Sequence, residues 1–237
     1  MPDTDFGVAK KDKTPPCAGF FIQAALQELP VRRTLLIILS MALAACSANP
    51  KALYQEQVVT SPTPLAEHPA EAIRLLQAEP LPINPSWPFP QWKITANEPR
   101  LKIGNTIANF RVFSVELKQG TSNQIAVNSW CVNACLGFSK YALTPYLLLV
   151  DQQGIVIAEG FGQITGSVGV INQVLSSTVP KNGTYYLIVA ADNRTPGQNI
   201  VTDSVMLVGS TGLGTPMQVG MGSYPFGTIG PYLDTSK

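Results

Sequence analysis

An all-β domain is the fold class this sequence predicts: a jelly-roll-like β-sandwich behind a short N-terminal helix and a lipoprotein signal segment. Three observations carry that expectation. After residue 100 the chain is rich in Val, Ile, Leu, Thr, Ser, Asn and Gly, the residues of strands and tight turns. Its apolar runs there are short and fall at roughly even spacing between turn residues, as a sandwich requires. Upstream, the apolar run 35–45 follows Arg32-Arg33 and ends in Leu43-Ala44-Ala45-Cys46, the pattern of a cleaved secretory signal too short to span a bilayer.

A cysteine directly after Leu-Ala-Ala marks the bacterial lipoprotein form of such a signal, in which the Cys46 thiol is acylated and the mature chain starts there. Residues 1–45 are therefore read as a signal segment. The charged stretch Asp3 to Lys13 fits poorly with this, and Val31 is a plausible true start, which makes 1–30 a mis-annotated extension. The 192 residues from Cys46 onward carry eleven Lys and Arg against eleven Asp and Glu. A neutral chain without a basic run excludes nucleic acid as an expected partner. One domain with a leader is the expected organisation.

Residues 46–92 are read as a lipidated tether, a short helix and a proline-rich leader. Ser61-Pro62-Thr63-Pro64 resists regular structure, so 47–64 is expected to be a tether. The stretch 65–78 is predicted as one amphipathic helix, with Ala72, Leu75 and Leu76 at helical spacing and Pro80 and Pro82 stopping it. Residues 80–90 are extended and lead into Trp87-Pro88-Phe89-Pro90-Gln91-Trp92.

The sandwich is placed at 93–237. Strands are expected at 111–118, where Phe113, Val115 and Leu117 alternate with Val112, Ser114 and Glu116, and at 125–130. The continuously apolar 146–150, the turn Asp151-Gln152-Gln153-Gly154 and the run 155–158 form the clearest hairpin. Further strands are expected at 168–179, 184–191 and 202–208, the last being the final long one. The glycine-rich tail 209–237 shows no clear period. It has no Lys-Ser or Lys-Thr pair to support a phosphate loop.

Chemistry is sparse. Cys131 and Cys135 are the only paired thiols of the mature chain; in an oxidising envelope such neighbours form a local disulfide. Free thiols and metal or redox chemistry are the alternatives. A metal would need a second ligand pair, while the single histidine, His68, lies far upstream. Ser-His-Asp and Cys-His arrangements lack a base for the same reason. No catalytic residue, metal or cofactor is assigned. Asp151 and Glu159 flank the hairpin as a conceivable carboxylate pair of a glycan hydrolase, or as a turn residue and a solvated strand end. Trp87, Phe89 and Trp92 either stack on sugar rings or protein partners or pin the leader to the sandwich edge.

The order of features from about 113 to 193 resembles the maltose operon periplasmic protein family. The resemblance lies in Ala142-Leu143-Thr144-Pro145-Tyr146-Leu147-Leu148-Leu149-Val150-Asp151-Gln152-Gln153-Gly154, and then in Pro180-Lys181-Asn182-Gly183-Thr184-Tyr185-Tyr186-Leu187-Ile188-Val189. It implies a non-catalytic envelope protein linked to carbohydrate uptake.

The expectation is thus a binding or assembly accessory, held through acyl chains on Cys46 and engaging an envelope protein or a glycan. Ser47, rather than an aspartate, after the cysteine favours the outer membrane, facing the periplasm, under the sorting rule of enteric bacteria. The alternatives are a carboxylate-dependent glycan hydrolase and a structural subunit of a surface or secretion assembly.

Overall fold

Strands that read as unbroken apolar runs need cover on both faces, and the course of this chain follows from that need. The computed structural model describes residues 49–133, 135, 140–160, 163–167, 169–208 and 214–235. The signal segment and Cys46 lie outside the described residues. The chain is all-β, with two mixed sheets packed as a sandwich.

The leader comes first. Helix α1 (Pro50–Leu53) runs into a π-helical turn (Tyr54–Val59), strand β1 (Leu65–Ala66), helix α2 (Pro69–Leu75), strand β2 (Glu79–Pro80) and strand β3 (Trp92–Ile94). Then follow β4 (Arg100–Ile103), β5 (Thr106–Leu117), β6 (Ser122–Asn133), β7 (Lys140–Leu143), β8 (Pro145–Val150) and β9 (Val156–Gly160). The remainder is β10 (Gln163–Ser167), β11 (Val170–Thr178), β12 (Gly183–Ala191), β13 (Asn199–Val208), β14 (Gly214–Tyr224) and β15 (Gly227–Asp234).

The first sheet has the order β1-β4-β5-β12-β8-β9, and β2 adds in parallel to β5. Its centre is the antiparallel pairing of β12 with β5, Leu187 opposite Phe113, and with β8, Leu187 opposite Leu149. Leu187, Ile188, Val189 and Ala190 are all fully buried, so both faces of β12 are covered. One face meets the second sheet. Leader residues Ala66, Ala72 and Leu81 join the same core cluster, and Ile73 and Leu76 pack against it.

In the second sheet β6 is the axis. It pairs along one side with β11 and along the other with β15, and beyond Trp130 its end pairs with β7. Strand β7 runs parallel to β14, which pairs with β13, while β3 lies on the outer edge of β15. Parallel pairs β1–β4, β2–β5 and β7–β14 depart from an all-antiparallel jelly roll.

Three sequence expectations need correction. The segment from Asn49 to Pro64 is not a free tether: Val58 is fully buried, and Pro64 O accepts a hydrogen bond from Arg100 N at 2.8 Å. The helix expected at 65–78 is confined to Pro69–Leu75, because Leu65 and Ala66 are drawn into a parallel pair with Arg100 and Leu101. Nor is 202–208 the final strand, since β14 and β15 follow it. Glycines hide these strands from sequence patterning while serving close packing. A Cβ on Gly230 would sit 2.5 Å from the Trp130 ring, and one on Gly227 would sit 2.7 Å from Leu143 Cβ.

Candidate functional site

The site begins with the leader's first turn. Asn49 caps α1, its Oδ1 accepting from Lys51 N at 3.0 Å, and Pro50 occupies the first helical position, where no donor is needed. The other end of the helical segment is held by Arg100. This side chain, only 8% exposed, donates to Val58 O at 3.0 Å, Val59 O at 3.2 Å and Thr63 O at 2.6 Å. It thus supplies donors to carbonyls at a helix C-terminus, where a cation is favoured. Tyr54 Oη accepts from Ile107 N at 3.3 Å and ties the segment to the start of β5.

Facing the leader is the connection between β12 and β13. Asp192 N donates to Thr144 O at 2.7 Å, and Gly197 N donates to Ser223 O at 2.8 Å. Gly197 sits at φ +84°, and a Cβ there would touch Pro50 at 3.6 Å, so this loop and α1 meet closely. Asn193, 2% exposed, donates from Nδ2 to Ile107 O at 3.0 Å. Tyr141 on β7 contributes a ring that stacks at a tilt on Tyr224, with centroids 5.7 Å apart.

These elements enclose an open cleft of about 1000 Å³. Its polar lining is dominated by the amides Asn49, Gln55, Asn105, Asn193 and Gln198, with the rings of Tyr54 and Tyr141 and the cations Lys51 and Arg194. Among the described residues no carboxylate lines it. A second cavity of about 320 Å³ shares Arg194, Thr195 and Gln198 with the cleft. There Asp192 is engaged by the Arg194 guanidinium through two bonds of 3.0 Å.

Of the buried side-chain polar atoms without a hydrogen-bond partner among the described residues, Asn193 Oδ1 lies beside the cleft and Thr144 Oγ1 beside the smaller cavity, while those on Asn109, Ser129, Gln173 and Ser177 line neither. A buried polar atom left unpaired costs about 1–3 kcal/mol. Amide donors and acceptors around tyrosine faces form a surface suited to polyhydroxylated rings.

Tyr146 lies near this end of the sandwich. Burial raises its pKa to about 12, and its hydrogen bond to Glu159 at 2.9 Å adds to the rise. The folded state therefore holds the phenolic proton more tightly than the unfolded chain does. Stability from this group is complete below about pH 10 and is lost as pH rises toward about 12. Tyr146→Phe is expected to flatten that part of the alkaline limb in chemical denaturation measured across pH, whereas an unchanged slope would refute the assignment.

The residues singled out by sequence fall in different places. Cys131 and Cys135 form a disulfide with Cα atoms 5.7 Å apart, at the end of β6. Trp92 packs edge-on against Phe113 with centroids 5.0 Å apart and donates to Glu79, so it pins the leader. Phe89 stacks on Tyr232 at 5.8 Å, while Trp87 meets Phe89 edge-on at 6.2 Å and is 78% exposed. The three rings do not form one platform.

Asp151 Oδ1 accepts from Gln153 N and Ile155 N, each at 2.9 Å, and so builds the β8–β9 turn. Glu159 lies toward the other end of that hairpin on Tyr146, and neither acid lines the cleft. His68 precedes α2 and is exposed. Among the described residues no group of three His, Cys, Asp or Glu is placed to hold a metal, and no helix is long and apolar enough to cross a membrane. The cleft itself escaped sequence reasoning, because its residues are scattered over 49–55, 105–107, 141 and 193–198 and share no motif. No family model and no curated protein matches the chain.

Proposed function

We propose that this chain is a lipid-anchored, non-catalytic accessory of the bacterial envelope that binds carbohydrate in the cleft between its leader and the β12–β13 loop. Cys46 carries the acyl chains, and the outer membrane is the site of attachment. The observation that carries this reading is the cleft's chemistry among the described residues: amides, tyrosine rings, a buried acceptor at Asn193 without a partner, and a lining without carboxylates. The resemblance of 113–193 to the maltose operon periplasmic protein family adds support.

Two measurements test it. Cys46→Ala is expected to remove the lipid mass from the purified protein and release it from the membrane fraction; retention without lipid would defeat the anchor. Tyr141→Ala is expected to weaken binding of a cognate oligosaccharide on a glycan array by at least about tenfold, the loss of one well-placed ring contact. Equal glycan binding by wild type and variant would defeat the cleft.

A further inference from the structure

From Cys46 to Asn49 is three peptide steps. Fully extended they reach about 10 Å, at roughly 3.5 Å per residue. Asn49 is already fixed, as the cap of α1, and Pro50 behind it is buried. The hold continues with Tyr54 on β5 and the Arg100 clamp at Val58 and Val59. A lipid on Cys46 would therefore leave the domain almost no stand-off from the bilayer. Asn49 and Lys51 are themselves part of the cleft wall. The binding site would then work within reach of the headgroups rather than in the open periplasm.

The lining agrees with that position. An acidic cleft would be repelled by an anionic lipid surface, and among the described residues no carboxylate lines this one. Lys51, exposed and in the wall, is of the sign that such a surface attracts. Asn193 Oδ1, buried and unpaired at the cleft, calls for a donor such as a sugar hydroxyl. A ligand confined to the same membrane would meet the site at an effective concentration on the order of millimolar.

We infer that the cleft takes the saccharide headgroup of a glycolipid in the bilayer that holds Cys46, rather than a saccharide free in solution. This rests on the carbohydrate reading above and on acylation of Cys46. The full acylated protein is reconstituted in vesicles of phosphatidylethanolamine and phosphatidylglycerol, with or without digalactosyl diacylglycerol. Hydrogen exchange of backbone amides at 192–198 and 105–107 reports occupancy. A second form carries a Gly/Ser insert of about 20 residues between Ala48 and Asn49, enough to lift the domain by roughly 25 Å without touching the cap. Free digalactosylglycerol is added to glycolipid-free vesicles as the soluble counterpart.

The expected result is protection by glycolipid in the native form, at least a tenfold higher glycolipid fraction needed by the insert form, and equal response of both forms to the free headgroup. Equal glycolipid response of the two forms, or response to the free headgroup alone, overturns the inference while leaving the carbohydrate reading in place. No protection by either probe removes both.

Discussion

Replacing Arg100 with methionine is expected to destabilise the domain by about 3–5 kcal/mol and to detach the leader from the sandwich, the range of losses seen when a buried charged hydrogen-bonding group is removed. The guanidinium is buried and, among the described residues, has no carboxylate partner; it is held instead by the carbonyls of Val58, Val59 and Thr63. Methionine keeps much of the stem's volume but donates nothing. Three carbonyls then lose their donor, and Val58 is at a fully buried position. Lysine would be an incomplete substitute, because one ammonium cannot reproduce the planar fork that reaches both Val58 and Thr63.

The detachment has a functional consequence, since the clamped segment is one wall of the cleft. Urea denaturation of Arg100→Met should show a lower midpoint, and limited proteolysis should cut within 54–64 under conditions where the wild type is resistant. On the proposed carbohydrate reading, glycan binding should fall in the same variant even at temperatures where the sandwich remains folded. A midpoint within error of wild type, with 54–64 still protected, would show that the leader is held by something other than this side chain.

The sandwich was legible where local pattern and burial agree. The hairpin of β8 and β9 was announced by Asp151-Gln152-Gln153-Gly154 between apolar runs, and Asp151 does cap that turn with its carboxylate. Strand β12 was announced by Thr184 to Ala191 in the same way. The leader was misread because its polar and proline-rich composition is what a linker also shows. The contrary signal lay elsewhere, in the unbroken apolar residues of β8 and β12, which demand a second cover that a sandwich alone does not supply.

Two further features left little trace in sequence order. Arginine at position 100 looks like any solvated strand residue until the carbonyls around it are known. The tail strands β14 and β15 lack the dense β-branched pattern because Gly222, Gly227 and Gly230 make room for Tyr141, Leu143 and Trp130. The cleft combines four separate stretches, and its chemistry is that of common amides and tyrosines, so only the fold assembles it. The anchor is the reverse case. Cys46 lies outside the described residues, and its reading rests on sequence alone.

Gly154→Ala is expected to cost about 2–5 kcal/mol, combining a left-handed backbone penalty of about 1–2 kcal/mol with overpacking of about 1–3 kcal/mol. Gly154 closes the β8–β9 turn at φ +81°, its N donating to Asp151 O at 2.9 Å. A Cβ there would lie 2.4 Å from Ala70 Cα and 2.6 Å from Ala70 N. These are backbone atoms in the first turn of α2, so no side-chain rotation can relieve the clash. Either the turn or the helix must move.

The helix is the weaker element. It has seven residues and depends on packing rather than on its own propensity, its own Ala72 being fully buried. The variant should therefore lift α2 before it opens the hairpin, exposing the apolar outer face of the first sheet. Two readings separate this from a simple turn defect. Hydrogen exchange should rise first across Pro69–Leu75 and the edge of β12, and a dye that reports exposed apolar surface should bind the variant below its unfolding transition. Ala70→Gly in the same chain removes one of the clashing atoms, Ala70 Cβ at 2.5 Å, yet leaves the two backbone contacts. It should restore only a minor share of the loss. Full rescue by that second substitution would place the cost in the methyl group rather than in the backbone and would refute the account given for this glycine.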